Sequence, residues 1–196
     1  MKYRVTKIKT MLETIFRVDL YKVRKEREDG SLFGEFNRVN INRGDAVAML
    51  LYNPEAGTVL MVRQFRLAKY SKGGNGLLWE IPAGMMEDGE KPEEVAIRET
   101  LEETGYAIEN PRLLRKIIPA PGVMNEFIYI FYAEISRSQK IESGGGVAEE
   151  GEYLEVFELP LSDIDDMLER GKIEDAKTLV ALCELREIRK QNIDGE

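Results

Sequence analysis

The 196-residue chain predicts an α/β domain, a mixed sheet held between helices, preceded by a small antiparallel strand unit. Three observations carry this. The first forty residues alternate apolar and polar, the runs from Ala46 onward are more continuously apolar, and three helix-like segments lie among or after the later strands. A chain of about 200 residues buries roughly 70% of its unfolded surface, so neither a metal nor a disulfide is needed for folding.

Taken in order, Tyr3–Val5 with Ile8 and then Ile15–Val23 read as strands, and Asp29-Gly30 marks the turn before Leu32. Residues 1–42 are therefore expected as a strand subdomain and 43–196 as the main domain. Ala46–Tyr52 and Thr58–Val62 flank Asn53–Gly57 as a hairpin buried on both faces. Strands follow at Leu78–Ile81, Arg112–Ile118, Phe127–Ile135 and Tyr153–Leu159. Pro92 suits a first helical turn, Glu93 and Glu94 complement its positive end, and Gly105 supplies a left-handed stop, which predicts a helix over Pro92–Thr104. Lys91 is a poor residue for its capping position. Two helices close the chain, one over about Leu161–Arg170 with Ser162 as cap and Gly171 as stop, the other over about Asp175–Lys190.

Composition excludes several function classes. There are 28 basic and 36 acidic residues, a formal charge of −8, and no histidine. No Ser-His-Asp triad, Cys-His dyad or His-containing zinc site can exist, so acid–base work falls to carboxylates, Lys, Tyr or water polarised by a metal. The acidic balance argues against a nucleic-acid partner, because phosphate backbones are bound by clustered Lys and Arg. Cys183 excludes an intramolecular disulfide and fits a cytoplasmic location; among Leu179, Leu182 and Leu185 it reads as a small buried hydrophobe. No apolar run approaches the ~18–20 residues of a membrane span, so neither a signal peptide nor a membrane helix is expected.

One stretch carries chemistry. At about 100° per residue, Glu99, Glu102 and Glu103 fall within a sector of roughly 100°, and Ile97, Thr100, Leu101 and Thr104 cluster opposite. The helix is expected to pack by the second face and present three carboxylates on the first. Like charges at i, i+4 disfavour a helix. After the Pro82-Ala83-Gly84 turn, that cluster suits a hard, oxygen-liganded cation, Mg²⁺ or Mn²⁺, which bridges to phosphates.

Gly84, five residues, Glu90, seven residues, Arg98-Glu99, then Glu102-Glu103 and Gly105 resembles the Nudix box at all its fixed positions. Thr100 and Tyr106 depart from the bulky aliphatic residues of that pattern, at positions where packing is expected. The likeness extends through Arg63-Gln-Phe-Arg66, the Trp79–Gly84 lead-in, Pro121-Gly122 with Glu126, and Gly144–Val147. These look like the nucleoside-diphosphate-sugar pyrophosphatases, a branch that includes ADP-ribose and GDP-mannose pyrophosphatases.

The resemblance implies a Nudix α/β/α sandwich with an N-terminal antiparallel strand extension, and a homodimer formed through that extension. It implies Glu99 and Glu103 as metal ligands with the Ala83 carbonyl and, directly or through water, Glu102, around two or three Mg²⁺ ions (Mn²⁺ being an alternative). Arg98 would pair with a carboxylate such as Glu90. The proton from the attacking water would go to a glutamate after the glycine-rich turn, Glu149, Glu150 or Glu152, with Glu150 favoured. Arg63 and Arg66 end an apolar strand and suit an anionic substrate group, Arg66 matching the resembled position more closely. Trp79 stacks a base or fills a core, and Glu126 points into the site or to the solvent side of its strand. The implied substrate is a nucleotide sugar, foremost ADP-ribose, split into AMP and ribose 5-phosphate, by the 16-residue spacing from Gly105 to Pro121; GDP-mannose is the alternative, by Gly144–Val147 and Lys177-Thr178. A non-catalytic sensor would lack box glutamates, and none is lacking.

Overall fold

The computed structural model describes residues 2–146 and 153–194, with side chains through Gln191. The chain divides into two compact units, one of residues up to Asp45 with Ile118–Phe127, the other of Ala46–Ile117 with residues from Ile128 onward.

In the first unit, β1 (Lys2–Glu13), β2 (Arg17–Glu26) and β3 (Leu32–Asn42) form an antiparallel sheet with β2 in the centre. The turn at Asp29-Gly30 closes as expected: Gly30 takes φ 81° and the Arg27 amide donates to the Ser31 carbonyl at 2.9 Å. Asp19 is buried in β2 and is held as a carboxylate by Lys7 at 2.8 Å, Arg17 at 3.0 Å and the Thr10 hydroxyl at 2.9 Å. Every residue of β1 is exposed, including Tyr3, Val5, Met11 and Leu12. The 118–127 segment is stitched to the end of β3, where the Ile41 amide donates to the Val123 carbonyl at 2.8 Å.

The second unit is built on a seven-stranded sheet. β4 (Ala46–Asn53) lies between β5 (Thr58–Phe65) and β9 (Ile128–Glu134), with β8 (Arg112–Ile117) and β10 (Leu154–Pro160) at the ends of that path. Two short strands branch off it, β6 (Leu77–Glu80) on β5 and β7 (Ala83–Met85) on β4. The β4–β9 pair is parallel and the others are antiparallel. The expected hairpin forms, and β4 is buried almost throughout because its alternate residues serve opposite cores. Ala48 and Leu50 pack with Ile164 and Met167 of α3 (Leu161–Glu169) and with Ala181, Leu182 and Leu185 of α4 (Ala176–Asp194). Val47, Met49 and Leu51 pack with Val95 and Ala96 of α2 (Pro92–Thr104). Helices on both faces of one sheet make the sandwich. A single-turn helix, α1 (Leu67–Tyr70), follows β5.

Two local expectations are corrected. Ser162 does not cap α3: the helix begins at Leu161 after Pro160, and no side chain caps it. Cys183 is exposed. Thr178, Ala181, Leu182 and Leu185 form the buried stripe of α4, at i, i+3, i+4 and i+7, and Cys183 lies about 100° past Leu182 around the axis.

Candidate active site

The box helix has the expected bounds. Pro92 occupies its first turn, Glu93 and Glu94 sit at its positive end, and Gly105 ends it at φ 77° with its amide on the Leu101 carbonyl at 2.8 Å. Lys91 makes no capping bond; its ammonium pairs with Glu94 at 2.7 Å.

The faces of α2 differ from the expectation. Val95, Ala96, Glu99, Thr100, Glu103 and Thr104 are its buried residues, and Ile97 and Leu101 are only half-buried. Two of the three clustered glutamates therefore point inward. The reason is β7: pairing with β4 brings the backbone of Ala83 and Gly84 beside the helix, a polar surface that accepts carboxylates. The Ala83 amide donates to Glu103 Oε2 at 2.9 Å. Gly84 leaves the space that the other carboxylate fills, since a Cβ there would lie 1.9 Å from Glu99 Cδ. Glu99 is 7% exposed and Glu103 2%. Thr100 and Thr104, on the same side, satisfy their hydroxyls on the helix itself, donating to the carbonyls of Ala96 at 2.7 Å and Thr100 at 2.5 Å.

Arg98 gathers the carboxylates on the outer side. Its Nη1 is 2.8 Å from Glu99 and 3.1 Å from the half-exposed Glu102, and its Nη2 is 3.6 Å from Glu90. Glu90 in turn accepts the Glu87 amide at 2.7 Å, so the loop between β7 and α2 is drawn onto the helix. Partial burial works against the Arg98 charge, but Glu99, Glu102 and Glu90 together hold the guanidinium above its ordinary pKa.

The glycine-rich turn docks on the end of this helix. Gly145 and Gly146 donate their amides to the carbonyls of Glu103 at 2.8 Å and Glu102 at 3.3 Å. Gly144, at φ 70°, comes so close that a Cβ would lie 2.5 Å from the Thr104 carbonyl carbon. Glu149, Glu150 and Glu152 follow this turn in sequence and lie outside the described residues.

Arg66 stands just past β5, as the cap residue of α1. Its Nε and Nη2 fork onto the two oxygens of Glu80 at 2.6 and 2.8 Å. Glu80 is 1% exposed and also accepts Lys177 Nζ, and Lys177 reaches Asp175 at 3.0 Å. Burial pushes the Glu80 carboxyl up, yet the Arg66 hydrogen bonds and the Lys177 charge outweigh it and hold the group below the usual carboxylate range. The Arg66 guanidinium is raised chiefly by its bonds to Glu80, and the Glu103 charge contributes. Arg66 thus sits within the field of Glu103.

Arg63 is engaged elsewhere. It pairs with Glu155 at 2.7 Å and lies over the rings of Trp79 and Phe157, which meet edge to face at 4.9 Å. Trp79 is a packing residue. Glu126 belongs to the first unit; it is buried, with Arg43 at 3.6 Å, and is not on the solvent side.

Sequence reasoning missed Glu80 and Asp175. The first had a signal, a lone carboxylate inside the apolar run Leu77–Ile81, and the second stands where the last helix needs its cap.

As a metal site the donor set is hard and oxygen-only. Among the described residues no three His, Cys, Asp or Glu side chains converge into a cage. Two buried carboxylates one turn apart fit a cation such as Mg²⁺, which takes one or two carboxylates and completes its shell with water and substrate phosphate.

Residues 42–182 match the profile described as NUDIX domain. The chain is 40% identical over 158 residues to a GDP-mannose pyrophosphatase of Pectobacterium atrosepticum, covering 80% of each. It is likewise 40% identical over 157 residues to the GDP-mannose pyrophosphatase of Escherichia coli O1:K1 / APEC, again covering 80% of each. In fold it is similar to the crystal structure of an ADP compounds hydrolase, with a TM-score of 0.74 at 21% identity over 98% of this chain and 96% of that one. The α/β/α sandwich, the complete box and a profile spanning most of its length agree: the chain belongs to the Nudix hydrolase family.

Proposed function

We propose that this enzyme hydrolyses the pyrophosphate bond of a nucleoside diphosphate sugar, giving a nucleoside monophosphate and a sugar phosphate. The observation that carries the reading is the seating of Glu99 and Glu103 on the Ala83–Gly84 backbone, inside a complete box. Nudix hydrolases are generally divalent-metal dependent. In this chain Glu99, Glu103, the Ala83 carbonyl and Glu102 would hold the ions, two or three of Mg²⁺ or Mn²⁺. Ions bound there supply charge neutralisation on the diphosphate and make water easier to deprotonate.

The protein's own groups do the rest. Arg66, at the end of β5 and within the field of Glu103, orients the diphosphate. Arg98 keeps Glu99 and Glu102 together, and Glu90 holds the loop. Glu150, or its neighbour Glu149, takes the proton of the attacking water; the hydroxyl joins one phosphorus and the other phosphate leaves with the bridging oxygen. Arg63, paired with Glu155 and lying over Trp79, supports the strand end that carries Arg66.

Similarity to GDP-mannose pyrophosphatases supports GDP-mannose as the substrate, and the loop spacing supports ADP-ribose. Residues 1–42 serve a homodimer, the apolar side chains along exposed β1 meeting a second copy. The single cysteine supports a cytoplasmic location, and no described helix is long and apolar enough to cross a membrane. The test is phosphate release from GDP-mannose and ADP-ribose with Mg²⁺, coupled to a phosphatase. Turnover of one of them is expected, and turnover of neither sinks the reading.

A further inference from the structure

A string of alternating charges runs from the start of α4 to the mouth of the site. Asp175 caps the helix, its Oδ2 accepting the Thr178 amide at 3.0 Å and the Thr178 hydroxyl at 2.6 Å, and it also takes Lys177 at 3.0 Å. The Thr178 hydroxyl oxygen accepts the Ile81 amide at 2.9 Å, which fastens the helix to the strand end next to Glu80. Lys177, almost buried, reaches Glu80, and Glu80 forks onto Arg66. Three of these four charges are turned inward. Arg66 is the exception, with 42% of its side chain exposed.

An arginine at such a position ordinarily samples many rotamers, and ordering it costs conformational entropy. Here both oxygens of a buried carboxylate fix the plane of the guanidinium in advance. The fork engages Nε and Nη2 and leaves Nη1 outside it, on a side chain that is 42% exposed. Asp175 and Lys177 fix the carboxylate from behind, so Glu80 cannot follow Arg66 outward.

We propose that Glu80 is a positioning residue of the hydrolase, a buried carboxylate that holds Arg66 ready for the substrate diphosphate and is itself anchored by Lys177 and Asp175. This rests on the reading of Arg66 as a diphosphate contact. Glu80 forks onto Arg66 and acts through it, so its loss weakens ground-state binding more than turnover.

The experiment compares wild type, Arg66→Ala, Glu80→Gln and the double variant on the nucleotide sugar the wild type turns over. It also measures, in Mg²⁺, binding of the methylene-bridged analogue of that compound. Arg66→Ala should raise KM about tenfold; if it does not, the Arg66 reading fails, whatever Glu80 does. Glu80→Gln should raise KM and the analogue Kd about fivefold, with kcat within about twofold, and should add less than about twofold in the Arg66→Ala background. A Glu80→Gln enzyme with unchanged KM, or a double variant whose losses multiply, overturns the proposal. Should Glu80→Gln melt below the assay temperature, Glu80→Asp keeps the charge and withdraws it by one methylene; raised KM is expected, and unchanged KM overturns the proposal equally.

Discussion

Two neighbouring corners of the second unit bury glutamates, and they do so in opposite ways. Where β7 meets α2, Glu99 and Glu103 stand one turn apart, against backbone and beside each other, with Arg98 pairing with Glu99. Where β6 meets α4, Glu80 stands by itself among cations, clasped by Arg66 and Lys177. Like charges one turn apart work against the helix that carries them. A carboxylate with two cations is already compensated, and breaking such a buried pair costs about 3–5 kcal/mol. The first corner sets two carboxylates side by side on one helix, with Arg98 on Glu99. The second is complete and offers one edge of a cation to an anion. One residue type in two surroundings thus suits the two tasks proposed above, holding a metal and orienting an anion.

The largest expected effect sharpens this contrast. Glu103→Gln keeps an oxygen for the Ala83 amide while removing one of two crowded charges. We expect kcat with Mg²⁺ to fall by about three orders of magnitude and Tm to hold or rise. Activity within a few-fold of wild type would remove Glu103 from the metal site. Glu80→Gln should do the reverse, lowering Tm and leaving kcat near wild type. Identical behaviour of the two variants would erase the distinction between the corners.

A second, smaller effect comes from the backbone of the first corner. The Cβ introduced by Gly84→Ala falls where the Glu99 carboxylate lies, and β7 is held by its pairing with β4, so the carboxylate must move. Displacing a ligand by its support typically costs 10–100-fold in metal affinity. The half-saturating Mg²⁺ concentration should rise by about that factor. Unchanged metal dependence would mean that Glu99 does not need this seat.

How far these corners were legible depends on the range of the signal. The bounds of α2 follow from Pro92 and Gly105, which act within their own turns, and they are as expected. The double burial of β4 follows from its unbroken apolar run. The box glutamates are legible as a spacing, but not the side of the helix they would bury. A helical wheel fixes relative angles only, and here a three-residue strand, β7, too short to announce itself, makes the polar face an inner one. The Arg66–Glu80–Lys177 string was hidden for a related reason. Glu80 and Lys177 are 97 positions apart, and no local pattern pairs them. The leucine neighbours of Cys183 suggest a core position, although the stripe that packs passes beside it.

The smallest effect is a pH dependence that belongs to the second corner. In the unfolded chain the Glu80 carboxyl titrates near its ordinary value of 4.5, and in the folded protein Arg66 and Lys177 hold it lower despite burial. A carboxylate whose folded pKa is depressed stabilises the fold fully above the unfolded pKa, and that contribution is lost as pH falls through the folded one. Acid melting of the wild type alone does not isolate it, because Asp19 in the first unit is depressed too, chiefly by its hydrogen bond to Lys7. The difference in Tm between wild type and Glu80→Gln cancels that background. It should be constant from about pH 6 to pH 8 and shrink steadily below about pH 4.5, as the wild type gives up an ion pair that the variant never had. A difference that persists undiminished to pH 3 would mean that Glu80 holds Arg66 by packing and neutral hydrogen bonds. The second corner would then owe nothing to the charge that sets it apart from the first.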